Sequence, residues 1–297
     1  MSEPDFRPRA ERPVGLVIAL VIALAAAGWF GWQWWQQRQA PPPAAAPVAS
    51  TPSPPEAPPP LAAAPATPPP PQNQVDAIAE PDKNLPGLAE SDRVVLDAIT
   101  GLIGNKALNQ FLQVDDFVRR VVATVDNLPR DHAAVQRWPV RPMPGRFQLQ
   151  GEGDDRTIAP DNAGRYTAFV LLVEQLDAAK VAHAYARLYP LFQQAYEELG
   201  FPGRYFNDRL VAVIDHLLAA PEPAGAVKIR VVEVKSEVPG DRPWVRYEYA
   251  DARLQSLSAG QRMMVRVGLV NERRLKAKLR ELRSQLATAV KPGEGKS

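Results

Sequence analysis

Cysteine is missing from this chain altogether, and histidine occurs only three times in 297 residues. Without a thiol there is no cysteine nucleophile, no disulfide and no thiolate metal site. The histidines, His132, His183 and His216, stand 51 and 33 residues apart, so no two share metal-ligand spacing. Also lacking are the G-x-S-x-G nucleophile turn, the H-E-x-x-H zinc helix, the phosphate loop and the dinucleotide-binding glycine fingerprint. No catalytic residue, metal or cofactor is assigned, and the sequence points away from an enzyme. A dominant charge is lacking too. The balance of 35 Lys/Arg against 33 Asp/Glu requires no polyanionic partner. Nucleic acid is set aside as a partner, because no aromatics interleave the basic residues. The absence of thiols fits an oxidising compartment. There is no internal repeat.

Charge is absent over one stretch in particular. Val14–Trp32 runs nineteen residues without an ionisable side chain, a helix of about 28 Å against a hydrocarbon core of about 30 Å. Trp29, Phe30, Trp32, Trp34 and Trp35 crowd its far end, where amphipathic rings favour the headgroup layer. Arg7, Arg9 and Arg12 precede the span and only Arg38 follows closely, a bias that keeps the N-terminus in the cytoplasm and exports the rest. The competing reading is a cleaved signal peptide with Val14–Leu24 as its apolar region and Ala25-Ala26-Ala27 as its cleavage site. The apolar run continuing into the tryptophans favours a retained anchor. Gly15, Ala19, Ala23, Ala27 and Gly31 recur every fourth residue, a spacing that lets two spans pack into a homo-oligomer. An Ala-rich span matches the same spacing by chance.

A tract from Pro41 to Pro71 follows, in which fifteen of 31 residues are proline. It has too few backbone donors for helix or sheet and too little apolar bulk for a core. Sampling polyproline II at about 3.1 Å per residue, it spans up to about 95 Å. The expected organisation is a cytoplasmic head over 1–13, a transmembrane helix over 14–35, a disordered linker over 36–81, and a helical periplasmic domain over 82–297.

Within that domain the period is helical. Ser91 is placed to cap a helix with Val95, Ile99, Leu102 and Ile103 on one face, and a second helix follows around Leu108–Leu112. A third runs from Asp115 to Asp126, with Phe117, Val118, Val121, Val122 and Val125 inward. Pro129, Pro139, Pro142 and Pro144 mark an irregular segment, interrupted by a short strand at Arg146–Gln150. Asn162, Asp177 and Asn207 are placed as caps of three further helices. The middle one reaches Leu199, stops at Gly200, and should be kinked or divided by Pro190. Alternation through Val227, Ile229 and Val231, a turn at Pro239-Gly240-Asp241 and a return over Trp244–Tyr249 predict one β-hairpin. Ser258 with Gln261 forms a capping box opening a long final helix. The fold class is mainly α: a single transmembrane helix, a Pro-rich linker, then a helical domain with one hairpin near 227–249.

Several segments together are distinctive. They are Val125-Asp126-Asn127-Leu128, Asn162 with Arg165-Tyr166, Tyr189-Pro190-Leu191-Phe192 with Ala195-Tyr196, and Leu199-Gly200. Phe206-Asn207, Arg209-Leu210, Asp215-His216-Leu217-Leu218 and Leu257-Ser258-Ala259-Gly260-Gln261 with Arg266 and Gly268 complete the set. Over roughly Leu85–Leu286 the chain resembles an uncharacterised family of Gram-negative bacterial proteins, catalogued as a domain of unknown function. The resemblance implies an anchor, a low-complexity stalk and a place in the bacterial envelope, and supplies no activity.

Three groups of residues are candidates for function. Asp215 and His216 flank the apolar stripe of their helix. With Asp126, Asn127, Arg165, Tyr166 and Asn207 they are expected to form a polar cluster, which orients helices or holds a ligand. Val181, Tyr185, Tyr189, Phe192, Tyr196 and Leu199, at spacings of 4, 4, 3, 4 and 3, read as core, with a sugar- or peptide-binding rim as the other use. Arg262–Arg283 carries eight Lys/Arg against two Asp/Glu, and Leu275, Leu279, Leu282 and Leu286 form a seam. With Arg274 and Lys278 they make a candidate surface for a partner helix or an anionic membrane, unless the leucines pack on the domain itself. These readings predict a membrane-tethered periplasmic scaffold or interaction protein of the bacterial inner membrane. Its partners would be the lipid bilayer through 14–35 and an envelope protein. The alternative is a periplasmic binding or hydrolytic domain acting on cell-wall material, centred on Arg165, Tyr166, Asn207, Asp215 and His216. A concave pocket lined by those five would favour the alternative; a flat exposed Leu275–Leu286 strip would favour the first.

Overall fold

Two small two-stranded sheets and a set of helices accompany one buried aromatic helix. The structure, a computed structural model, describes residues 70–232 and 247–288. The expected head, membrane span, most of the linker and the hairpin turn lie outside these residues. Among the described residues no helix is long and apolar enough to cross a membrane.

The folded part begins earlier than its composition suggests. Residues 72–81, read as linker, lie on the domain, with Asn73 and Val75 buried. Val75, Leu85 and Leu88 pack into the main core, and the strap they form leads into α1 (Asp92–Phe111). Gly104, at φ 75° and ψ 157°, interrupts α1, so the two helices expected here are two halves of one element. Ser91 does not cap it. Its hydroxyl donates instead to Leu88 O at 2.8 Å in the preceding 3-10 turn. Asp92 caps the next helix, α2 (Phe117–Asn127), by accepting from Asp116 N and Phe117 N at 2.9 and 3.2 Å.

The irregular segment holds β1 (Leu149–Gln150), paired antiparallel with β2 (Thr157–Ile158), a strand too short to show a period. Then come α3 (Gly164–Gln175), α4 (Ala178–Glu198) and α5 (Phe206–Leu218). Asp177 caps α4 as expected, accepting from Ala179 N and Lys180 N at 3.0 Å each. Helix α4 runs through Pro190 without dividing. Pro190 has no N–H to offer Ala186 O four residues before it; at the neighbouring carbonyl, Arg187 O accepts from Asp82 N of the strap at 2.9 Å. The chain leaves α4 through Gly200 at φ 110°.

The expected hairpin is present as β3 (Ile229–Val231) and β4 (Tyr247–Tyr249), with Ile229 opposite Tyr249. A bridge between Thr157 and Lys228 joins β2 to this chain, through Ile158 N to Val227 O and Ile229 N to Arg156 O, both 3.0 Å. After α6 (Ala252–Gln255), the predicted long helix is two: α7 (Ala259–Arg266) and α8 (Leu269–Leu286), parted by Gly268 at φ 88°. Helix α8 lies against α3, α4 and α5. The main core gathers α1, α2 and α4 around Tyr189, Phe192, Tyr196 and Phe206, while Ile229, Tyr249 and Val265 form a satellite under the strands. Mainly helical structure with a hairpin follows the expected class; the second small sheet does not.

Candidate functional site

The polar residues singled out from the sequence are held by separate partners. Asp126, at the end of α2, accepts from Arg209 Nε on α5 at 3.1 Å and pairs with Arg130, while its own carbonyl takes Arg209 Nη2 at 3.0 Å. Asn127 turns away and donates to Ala123 O at 2.8 Å. Arg165 reaches back over the irregular segment. It donates to Pro144 O, Gly145 O and Asn162 Oδ1 at 3.0 to 3.2 Å, and its guanidinium lies 5.4 Å from the Tyr166 ring centre. Asn162 is not a cap. Its Oδ1 also takes Gln148 N at 3.1 Å, so it staples the loop that carries β1.

Asn207 is not a cap either, although it sits in the first turn of α5 with no exposed surface. Its Nδ2 donates to Asn73 O at 2.8 Å and to Leu286 O at 3.1 Å, joining the strap to the end of α8. Neighbouring side chains complete this clamp. Asp208 accepts from Gln72 N, Asn73 N and Asn73 Nδ2 at 2.8 to 2.9 Å. The Tyr205 hydroxyl takes Val75 N at 3.0 Å, and Thr288 Oγ1 donates to Gln74 O at 2.9 Å. The residues that directly follow the Pro-rich tract, Gln72 to Val75, are therefore gripped by α5, by the end of α8 and by the segment following α8.

Asp215 and His216 part company. Asp215 pairs with Arg283, while His216 Nε2 lies 2.8 Å from Ser258 Oγ. A serine beside an imidazole invites a nucleophilic reading. Here Ser258 Oγ already accepts from Gln261 N at 3.2 Å as the cap of α7, and Gln261 Nε2 turns to His216 O at 3.0 Å. The reciprocal half of the predicted capping box is not made, because Gln261 is used to hold α5 to α7. Ser258→Ala should cost about 1 to 2 kcal/mol, the loss of a cap and of one buried partner. Urea unfolding measures it; an unchanged midpoint would remove the structural role.

The basic leucine helix faces inward. Leu286 is buried, and Leu275 and Leu279 pack against the cores shared with α5. Its charges are met from other elements. Arg273 Nε reaches Glu222 at 2.8 Å, Arg274 reaches Glu174 at 3.8 Å, and Lys278 donates to Leu176 O at 2.7 Å. Lys276 is 3% exposed and donates to Ala220 O and Glu222 Oε1 at 2.6 and 2.9 Å. The exposed strip needed for a partner helix is absent here. Long cationic side chains on α8 neutralise carboxylates from distant segments instead.

Glu272 lies beneath Lys276 with no exposed surface. Its Oε1 is 3.1 Å from Lys276 Nζ, an ion contact out of line for a hydrogen bond, and neither carboxylate oxygen has a hydrogen-bond partner. Burial raises its carboxyl above 4.5 despite Lys276, whereas hydrogen bonds from Arg273 and Lys276 pull Glu222 down to about 2. The two act in opposite directions on stability. A raised carboxyl keeps its proton in the folded chain after the unfolded chain has released it, so Glu272 makes folding less favourable as pH rises through that window. Glu222 stabilises above 4.5, and that contribution is lost as pH falls through about 2. Melting temperatures across pH should show Glu272→Gln gaining on the native chain as pH rises above 4.5, because Lys276 keeps its two other acceptors. Parallel curves would refute this account of Glu272.

The aromatic row of α4 is core. Tyr185, Tyr189, Phe192 and Tyr196 pack among themselves and against Tyr205 and Phe206, at centroid separations of 5.1 to 6.2 Å. Leu199 alone of that row is exposed. Sequence reasoning missed an open groove on the N-terminal half of α4. It holds about 680 Å³ between Val94, Asp97, Ala98, Gly101 and Leu102 of α1 and Ala179, Lys180, His183, Ala184, Arg187 and Leu188 of α4. Its only sequence signal was the run of small residues on both faces. Among the described residues no three His, Asp or Glu side chains are placed to hold a metal.

Residues 117–283, more than half of the chain, match the family described as protein of unknown function DUF3014. The chain belongs to this family. The matched segment takes in the Asp126–Arg209 pair, the His216–Ser258 contact and the Glu222–Lys276–Glu272 group, and begins after α1. No curated protein and no solved structure matches the chain.

Proposed function

We propose that the protein is a membrane-tethered interaction or scaffold protein of the bacterial envelope, anchored by residues 14–35 in the inner membrane. Its N-terminus lies in the cytoplasm and its helical domain in the periplasm. The observation that carries this reading is the clamp on Gln72–Val75. A Pro-rich tract that merely trailed from a domain would need no such joint. Here six backbone or side-chain donors and acceptors of Gln72, Asn73, Gln74 and Val75 are taken up by Tyr205, Asn207, Asp208 and Thr288. Tension or position set by the tether is thereby passed to α5 and α8, and so to the whole core. The cell-wall reading lacks its site, since Arg165, Asn207, Asp215 and His216 are each occupied by different structural partners.

Topology tests the tether. A periplasm-specific phosphatase fused after Ser297 should be active in cells, and alkaline washing of membranes should leave the full chain in the pellet. A fusion active only as a cytosolic reporter, or a chain released as a soluble form starting near Gly28, overturns the reading.

A further inference from the structure

We propose that the clamp is a peptide-binding site whose ligand is supplied in cis, with Gln72–Ala79 seated in it as a releasable latch between tether and domain. The inference rests on the tethered-interaction reading, which gives the latch a membrane side to let go of.

The contacts are those of a receptor with a peptide. Five backbone groups of Gln72–Val75 bond side chains of Tyr205, Asn207, Asp208 and Thr288. Main-chain bonds of this kind hold a segment whatever its sequence, and contacts to its side chains select it. Two such selections are present. Asn73 Nδ2 donates to Asp208 Oδ1, and Val75 is buried two residues later with Ile78 packed against the same core. One carboxylate, that of Asp208, accepts from Gln72 N, Asn73 N and Asn73 Nδ2, so three of the bonds are charge-assisted. The ligand class is therefore a short segment carrying Asn and, two positions on, a β-branched apolar residue.

Three further observations set this segment apart from the core it rests on. Asn207 has no exposed surface, yet its Oδ1 accepts from nothing among the described residues. Its Nδ2 is spent on Asn73 O and Leu286 O, so turning the amide over gains nothing. A buried acceptor left unpaired weakens the seated state, and the latch is held less tightly than the site allows. Past Ala79 the strap stands off the domain. An open space of about 750 Å³ lies between Asp76, Pro81 and Pro86 of the strap and Pro190, Leu191 and Gln194 of α4. Gln72–Ala79 can lift across that gap while Leu85 and Leu88 stay packed. Lastly, Tyr205, Asn207 and Asp208 lie inside the family-matched segment, and the strap lies before it. The grip is part of the family domain; what it grips is not.

Cutting and competition on the full chain test the latch. A specific protease site is inserted between Lys83 and Asn84, both exposed, and the chain is immobilised in detergent micelles by an N-terminal tag. After cutting, the domain should stay on the support and remain folded by circular dichroism. A synthetic peptide of residues 70–83 should then elute it, half of it when peptide and immobilised fragment are equimolar. The same peptide with Asn73→Ala should need about tenfold more, having lost a bond to a carboxylate. A domain that stays bound overnight in a large excess of the native peptide overturns the proposal, because the joint is then permanent. Equal elution by the two peptides overturns the selection for Asn and with it the binding site. A domain that unfolds on cutting makes the strap a piece of the core, and one that falls away unaided shows no grip; either overturns the latch. Micelles have no sidedness, so none of these failures bears on the tether, and a failed reporter fusion would remove the tether without altering elution.

Discussion

Replacing Asp126 with alanine should lower the free energy of unfolding by about 3 kcal/mol, the lower end of what breaking a buried ion pair costs. The Asp126 side chain is 4% exposed and holds two guanidinium groups. Arg130 is more than half exposed, so water screens most of its share. Arg209 is the costlier loss. It is two-thirds enclosed, and its Nε would be left facing protein with no carboxylate. The pair also ties α2 to α5 across the flank of the main core, so both helices should loosen together. Urea unfolding of the native chain, Asp126→Ala, Arg209→Met and the double variant checks this. The double variant should be more stable than Asp126→Ala, because methionine removes the stranded charge while filling similar space. Additive losses would mean that the two residues act separately and that the pair is incidental.

What was legible in the sequence divides along the range of the interaction. Helix positions came from the 3.6-residue period, and Asp177 was read correctly because a cap bonds within three residues of itself. Ser91, Asn162 and Asn207 are of the same residue class and precede or open helices just as plausibly. Each is buried, and each hydrogen-bonds groups that a helix-cap reading does not include: Leu88 O, Gln148 N, and Asn73 O with Leu286 O. The same limit governs α8. Its excess of basic residues is plain in the sequence, but Glu174, Asp215 and Glu222, which neutralise it, lie 51 to 100 residues away along the chain. A surface reading was the natural one without them. The strap was hidden for another reason. Its Pro- and Ala-rich surroundings look like linker, and its anchors Val75, Leu85 and Leu88 follow no single period.

Two glycines separate backbone strain from packing, and the second variant should be nearly lethal to the fold. Gly268 sits at φ 88°, ψ 149°, and Gly104 at φ 75°, ψ 157°, both in a region that side chains disfavour. From the sequence, Gly268 fell inside one long final helix. In the fold it lets α8 start afresh beside Ala163, and an added Cβ would stand 2.9 Å from Ala163 Cβ. Around Gly104 the corresponding Cβ would meet nothing within 4 Å. Gly104→Ala should therefore cost about 1 to 3 kcal/mol, the price of the backbone conformation alone. Gly268→Ala should cost that amount and about 1 to 3 kcal/mol more for overpacking, enough to consume much of a typical domain's stability. The contact at Ala163 matters because Asn271 Nδ2 donates to Ala163 O at 2.9 Å, so α8 cannot slide away without losing that bond. Pairing Gly268→Ala with Ala163→Gly should recover the packing share and leave the backbone share. If the two single variants melt at the same temperature, or if Ala163→Gly rescues nothing, the close approach of α3 and α8 is not what requires glycine at this position.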